Sequence, residues 1–214
     1  WICEELPDAK HVCDAGCGLG FLSEHLCRRS PHVTAADISD GALSRLRNWK
    51  AEENVSNLEI RQEDLLAFTP DESYDAMVFC LFGRMGEILR IAKRCGAGTV
   101  VVVKKAYTHH RFSVSNVPLQ DETTEQAAAF LKAHGVPFTL ETREFDMGQP
   151  LKTLEDAMRF FRAYSKDAPG ALTREAVLRK LTETGDEAFP YYVPQRRSLG
   201  RFTIHTGNIP EEFA

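Results

Sequence analysis

Residues 14–20 read DAGCGLG, three glycines in seven positions, directly after the short run His11–Val12–Cys13. A glycine-rich turn behind a strand either brings the main chain close to a ligand or seats a helix tightly on a sheet. The spacing is G-x-G-x-G, with Asp14 two residues ahead of the first glycine. It is not the G-x-G-x-x-G of the dinucleotide fingerprint.

Working outward from that turn, short apolar runs alternate with helical periods, the pattern of a parallel sheet flanked by helices. Residues 11–15 read as a strand and 21–28 as a helix, with Leu22 and Leu26 four apart on one face. A second strand is expected over 33–37. Ser39 or Asp40 then caps a helix reaching about residue 52, with Leu43, Leu46 and Trp49 on its inner face. Residues 57–61 form a short strand before Asp64, and 74–80 is a nearly continuous apolar run suited to a strand buried on both faces. A helix over 86–94 stops at Gly96, and the valines behind Thr99 make a central strand. The expected fold is an α/β doubly wound open sheet.

Beyond residue 106 the pattern is less regular. A helix is expected over 123–133, capped by Thr124 and ended by Gly135, then an alternating strand over 138–145. Amphipathic helices at 154–164 and 174–184 are separated by a break at Pro169 and Gly170, and 199–205 closes as a strand. Strand, helix pair, strand reads as a final hairpin interrupted by a helical insertion at about 150–190. No repeat or long linker divides the chain. It is expected to be a single domain over 1–214, with a binding half at 8–106 and a second half at 107–214.

In an open parallel sheet the carboxyl ends of the strands form the ligand crevice. Asp14 and the glycines end the first strand, Asp37 ends the second, and Asp64 follows the third. Backbone N–H groups at a helix start suit an anion. A carboxylate at the end of the second strand suits a ribose diol, and one beyond the third could accept from an adenine amino group. The implied ligand is an adenosine without a bulky pyrophosphate.

These stretches resemble class I S-adenosylmethionine-dependent methyltransferases. VCDAGCGLGFLS (12–23) is similar to that family's first motif, TAADIS (34–39) to its second, RQEDL (61–65) to its third and YDAMVFC (74–80) to its fourth strand. The resemblance implies S-adenosylmethionine as cofactor, with Gly16, Cys17, Gly18 and Gly20 passing beneath its methionine moiety and Asp14 supporting that loop. It implies Asp37 on the ribose hydroxyls, Ile38 on the adenine face, Asp64 with the backbone of Leu65 reading the adenine, and Cys80 bordering the methyl group. It further implies a mostly parallel, Rossmann-like sheet with an antiparallel last strand. The amino-group methyltransferases of the class carry an Asn/Asp-Pro-Pro-Tyr motif where this chain has CLFGRM (80–85), which disfavours that chemistry. A small-molecule acceptor is expected, with a protein side chain as the other choice.

Composition narrows the remainder. Charged residues make up 27% and the net charge is -5, whereas broad phosphate binding needs a basic surface. Nucleic acid is therefore not the expected partner, although Arg196, Arg197 and Arg201 lie near Tyr191 and Tyr192. Six cysteines without a C-x-x-C pair read as reduced thiols rather than a zinc site or disulfide framework. They favour the cytoplasm. The chain begins at Trp1 rather than Met, so a preceding segment is expected to have been removed or left out. No stretch has the length of a membrane span. His109 and His110, just past the fifth strand, are the candidates for a general base, and Tyr164, Tyr191 and Tyr192 for lining an acceptor pocket. Two rivals remain at this stage. One is a nicotinamide-dependent oxidoreductase, which also places an acid after its second strand. The other is a module that binds S-adenosylmethionine without using it.

Overall fold

The computed structural model describes residues 1–168 and 170–214. In its first part β1 (His11–Ala15), α1 (Phe21–Cys27), β2 (His32–Asp37), α2 (Asp40–Glu52), β3 (Leu58–Gln62), β4 (Ala76–Cys80), α3 (Met85–Arg94) and β5 (Thr99–Lys105) follow one another. The order within the main sheet is β3-β2-β1-β4-β5-β10-β6. Here β6 is Thr139–Asp146 and β10 is Arg196–His205. β1 pairs in parallel with both β2 and β4, β2 with β3, and β4 with β5. The last strand, β10, runs antiparallel between β5 and β6. This is the doubly wound open sheet that the sequence predicts.

Alternation along the strands divides the core between two faces. Cys13, Ala15, Met77, Phe79, Val100 and Val102 pack on one side against Ile88, Leu89 and Ile91 of α3. Val12, Val33, Ala35, Val78 and Val101 pack on the other against Leu26 of α1 and Leu46 of α2. Each of the valines, leucines, isoleucines, Met77 and Phe79 among them contributes roughly 1.5–3 kcal/mol when fully buried. Consecutive residues face opposite cores, which explains why these strands read as unbroken apolar runs. β1 leads away to β2 on one side and has β4 on the other, so the sheet reverses direction between β1 and β4.

The chain forms two compact units, one of residues 1–104, 124–141 and 200–214, the other of 105–123 and 142–199. α4 (Thr124–Ala133) belongs to the first. Its Thr124 hydroxyl is not the cap the sequence predicts: it donates to the Lys104 carbonyl at 3.2 Å, as the first residue of the helix.

The second unit holds α5 (Leu154–Tyr164) and α6 (Arg174–Leu178), with Phe112, Met158, Phe161 and Val177 in its core. It corrects the sequence reading of a purely helical insertion. The helix expected over 174–184 ends at Leu178, and β8 (Thr182–Glu183) pairs antiparallel with β9 (Tyr191–Val193). β9 also pairs with β7 (Gln149–Leu151). Beyond β8 the Thr184 hydroxyl donates to the Phe189 carbonyl and accepts from the Asp186 amide, helping to close the connection to β9. Of the predicted break, Pro169 lies outside the described residues.

Candidate functional site

The turn after β1 is pinned from beneath. The amides of Gly16 and Cys17 both donate to the Ala36 carbonyl of β2, at 2.9 and 3.1 Å, and the Gly20 amide donates to Cys17. All three glycines have positive φ, +73°, +54° and +80°, a region that costs other residues about 1–2 kcal/mol. Their surroundings differ. A Cβ on Gly16 would fall 2.4 Å from the Phe82 ring, and one on Gly20 would fall 2.5 Å from Leu46. A Cβ on Gly18 would meet nothing within 4 Å. Two glycines thus admit protein side chains, and only Gly18 presents bare backbone to open space.

Asp37, at the end of β2, accepts from the Gly18 amide at 2.8 Å with one oxygen and from the Ser39 amide at 2.9 Å with the other. The cap of α2 is Ser39, whose hydroxyl accepts from Ala42. Asp37 therefore ties the glycine turn to the start of α2, and its carboxylate keeps lone pairs for a further donor. The outer side of the turn is held by Arg45 of α2, which donates to the Leu19 carbonyl at 2.9 Å and lies 3.9 Å over the Phe21 ring.

Asp14 lies under the turn, 1% exposed, and accepts from the Ser23 hydroxyl at 2.6 Å. Burial pushes its carboxyl up to about 6, with the Asp37 charge adding to the rise. Neighbouring thiols feel the same environment. Burial raises Cys17 to about 12 and Cys80 to about 11, with Asp14 reinforcing both, so these sulfurs are protonated at neutral pH and are poor nucleophiles.

Asp64 is exposed beyond β3 and accepts from the Leu66 amide at 3.0 Å. Leu65 is buried, and its carbonyl accepts from Arg94. Ile38 is 67% exposed directly after β2. Leu19 and Phe21 after β1, Leu66 after β3 and Leu81 after β4 are also exposed, so the carboxyl edge of four successive strands carries an apolar lip. The sequence reading found Ile38 and missed the rest, because exposure of a single leucine leaves no mark in a motif.

Asp14, Gly16, Cys17, Gly18, Gly20, Asp37, Ile38, Asp64, Leu65 and Cys80 all belong to the first unit, at the carboxyl ends of β1 to β4 or in the turns that follow. His109 and His110 belong to the second. His109 Nδ1 lies 2.9 Å from the Thr108 hydroxyl. His110 Nδ1 lies 3.1 Å from the Ser113 hydroxyl, whose oxygen accepts from the Lys166 amide. The Ser113 hydroxyl thus links the His110 ring to the Lys166 backbone. Burial, followed by Lys166, Lys105 and Arg111, holds His110 below the usual imidazole value. A lowered value favours the neutral ring, the form of imidazole that can accept a proton.

The arginines of β10 are engaged within the protein. Arg201 is buried and bonds to Glu5 and Glu141 at 2.6 Å each, Arg196 pairs with Glu144, and Arg197 lies over Tyr107. The Tyr192 hydroxyl donates to Asp146 at 2.5 Å, and Tyr164 packs edge-on to Phe112. Among the described residues, no group of three or more His, Cys, Asp or Glu could hold a metal ion, and no helix is long and apolar enough to cross a membrane.

Part of this chain is similar in sequence to known proteins, and its fold is similar to solved ones. Residues 12–95 match the family described as a methyltransferase domain. A ubiquinone biosynthesis O-methyltransferase of Coxiella burnetii is 32% identical over 90 residues, 41% of this chain and 38% of that protein. The match therefore spans about two fifths of the relative's length. Among solved structures, the YcgJ protein of Bacillus subtilis superposes with a TM-score of 0.59 at 12% identity, covering 94% of this chain and 95% of that one. The [4+2]-cyclase SpnF superposes with a TM-score of 0.55 at 14% identity, covering 95% and 79%. These two likenesses concern the fold.

Proposed function

We propose that this chain, whose residues 12–95 match the methyltransferase-domain family, is a class I S-adenosylmethionine-dependent methyltransferase that transfers the cofactor's methyl group to a small-molecule acceptor. The observation that carries this reading is the row of groups at successive strand ends: the open face of Gly18, the Asp37 carboxylate, exposed Ile38 and exposed Asp64. The fit is chemical as well as positional. Gly18 leaves the space that a Cβ would fill, Asp37 has acceptor capacity for a ribose diol, and the apolar lip suits the face of a purine. Asp64 and the backbone of Leu65 would read the purine edge, Asp14 would support the turn, and Cys80 would border the methionine end.

Bound there, S-adenosylmethionine supplies a methyl group on a positively charged sulfur, open to attack by an acceptor. The chain's own contribution is to hold and orient, an effect worth up to roughly 7–11 kcal/mol when alignment is near ideal. The glycine turn is held by Ala36 beneath it, Asp37 on Gly18 and Arg45 on Leu19. The protonated thiols of Cys17 and Cys80 take no part as nucleophiles. The name of the Coxiella burnetii relative supports a hydroxyl of a small molecule as the acceptor group.

Titration calorimetry with S-adenosylhomocysteine tests the proposal. Binding is expected to be one-to-one and weakened at least tenfold in Asp37→Ala, since a hydrogen bond to a charged group contributes about 1.5–3 kcal/mol. Unchanged affinity in that variant removes the ribose assignment, and binding of NADH in place of S-adenosylhomocysteine would favour an oxidoreductase. Binding without turnover across a panel of phenols and alcohols would return the chain to the non-catalytic reading.

A further inference from the structure

β5 runs through four buried valines, Val100 to Val103, and then places a lysine in the interior. Lys104 is 3% exposed and shares its face of the sheet with Val100 and Val102. Burying an ammonium is costly even when it is bonded, and an apolar side chain there would be cheaper for stability. Its Nζ donates to the carbonyl of Gly83, in the loop between β4 and α3.

That loop is held residue by residue. The Leu81 amide donates to the Val103 carbonyl at 3.0 Å, and the Arg84 amide donates to Glu87 Oε2 at 2.8 Å. Leu81 and Gly83 both have positive φ, +59° and +65°. For a leucine this conformation is strained and persists only where its surroundings impose it. Between them Phe82 turns its ring onto Gly16, so close that only a glycine fits there. β1 and β4 are the neighbours at which the sheet reverses direction, the place where open α/β sheets bind ligands.

We propose that Lys104 is a positioning residue of the cofactor site. By fixing the Gly83 carbonyl it seats Phe82 on Gly16 and so sets the first turn of the glycine loop. This inference rests on the cofactor reading above. Lys104 touches neither cofactor nor acceptor in this role and acts through Phe82, so its influence must vanish when Phe82 is removed.

The test is a double-mutant cycle on the full chain, with S-adenosylhomocysteine affinity measured by calorimetry at 15 °C and a melting temperature recorded for every variant. Lys104→Met is expected to weaken binding about tenfold with Phe82 present and less than twofold in Phe82→Ala. Lys104→Arg, which keeps a donor for Gly83, is expected to bind within threefold of the wild type. In the unliganded protein, amide exchange at 81–84 and at 16–18 should quicken together in Lys104→Met. Equal losses in both backgrounds, or a Lys104→Arg loss as large as that of Lys104→Met, overturn the proposal. If the wild type itself fails to bind, the cofactor reading falls, and the exchange experiment still judges Lys104: no coupling between the two segments rejects the role. Should Lys104→Met not fold, Lys104→Leu, which likewise has no donor for Gly83, carries the same cycle.

Discussion

Gly18 and Gly20 stand two residues apart in one turn, yet alanine at each should fail in a different way. At Gly18 the φ of +54° costs an alanine roughly 1–2 kcal/mol, and its methyl meets no protein atom within 4 Å. At Gly20 the φ is +80°, with a similar backbone cost of about 1–2 kcal/mol. The new methyl would also lie 2.5 Å from Leu46, a fully buried side chain on the inner face of α2. Overpacking of that kind adds roughly 1–3 kcal/mol, for a total of about 2–5 kcal/mol. In a chain of this size each kcal/mol lowers the melting temperature by roughly 2–4 °C. Gly18→Ala should therefore melt about 2–8 °C below the wild type, and Gly20→Ala about 4–20 °C below it.

Ligand binding should rank the variants the other way. The open side of Gly18 is where the cofactor reading puts the methionine moiety, so a methyl there takes space from the ligand. A tenfold or greater loss of S-adenosylhomocysteine affinity is expected at 15 °C. Gly20→Ala, still folded at that temperature, should bind within about threefold of the wild type, a difference of about 0.7 kcal/mol. Scanning fluorimetry and calorimetry on the same preparations decide the matter. A Gly18→Ala protein that binds normally, beside a Gly20→Ala protein that does not, would refute the division of labour within the turn.

Two pH effects follow from buried titrating groups. Asp14 has a folded value of about 6 against 3.8 for a free aspartate, so ionising it in the folded protein costs progressively more from about pH 4 to 6, reaching roughly 3 kcal/mol and staying constant above. Asp14→Asn should accordingly gain stability over the wild type across that window in urea unfolding, and a pH-independent difference would argue against a buried, protonatable Asp14. His11 stacks on His32 with ring centroids 4.2 Å apart, and burial followed by the facing His32 holds its imidazole below 6.5. The folded state then prefers neutral His11, so its contribution is complete above pH 6.5 and is lost as the pH falls through that value. His11→Gln should flatten the loss of melting temperature between pH 7 and 5, and an unchanged slope would show that other groups carry it.

The parts of the site that were legible in the sequence are those that a strand sets by itself. Asp14, Asp37 and Asp64 each stand at or just beyond the end of a run whose apolar pattern fixes the strand, so their common edge follows from the parallel sheet alone. β9 is a different case. Tyr191–Val193 becomes a strand by pairing with Gln149–Leu151, about forty residues earlier, and with a two-residue segment at Thr182–Glu183. The helical period beginning at 174 ran on in the sequence because Thr182 and Glu183 are a strand only through their pairing with Tyr192 and Tyr191, which nothing local announces.

The glycine motif makes the same distinction within seven residues. Its spacing shows where the backbone must be bare, but what comes close there is decided elsewhere: by Phe82 from the loop after β4, by Leu46 from α2, and at Gly18 by no protein atom at all. A glycine pattern is thus a statement about allowed approach, and the approaching partner is a tertiary fact. Asp37 follows the same logic. Its place at the strand end was readable, whereas its bond to the Gly18 amide appears only when two strand ends are set side by side. That bond makes the carboxylate part of the turn, so removing it should disturb the loop as well as any sugar it holds. Asp37→Asn separates the two effects. If the ribose contact dominates, the amide loses affinity for adenosine-bearing ligands while the melting temperature hardly moves; if the loop dominates, both fall together.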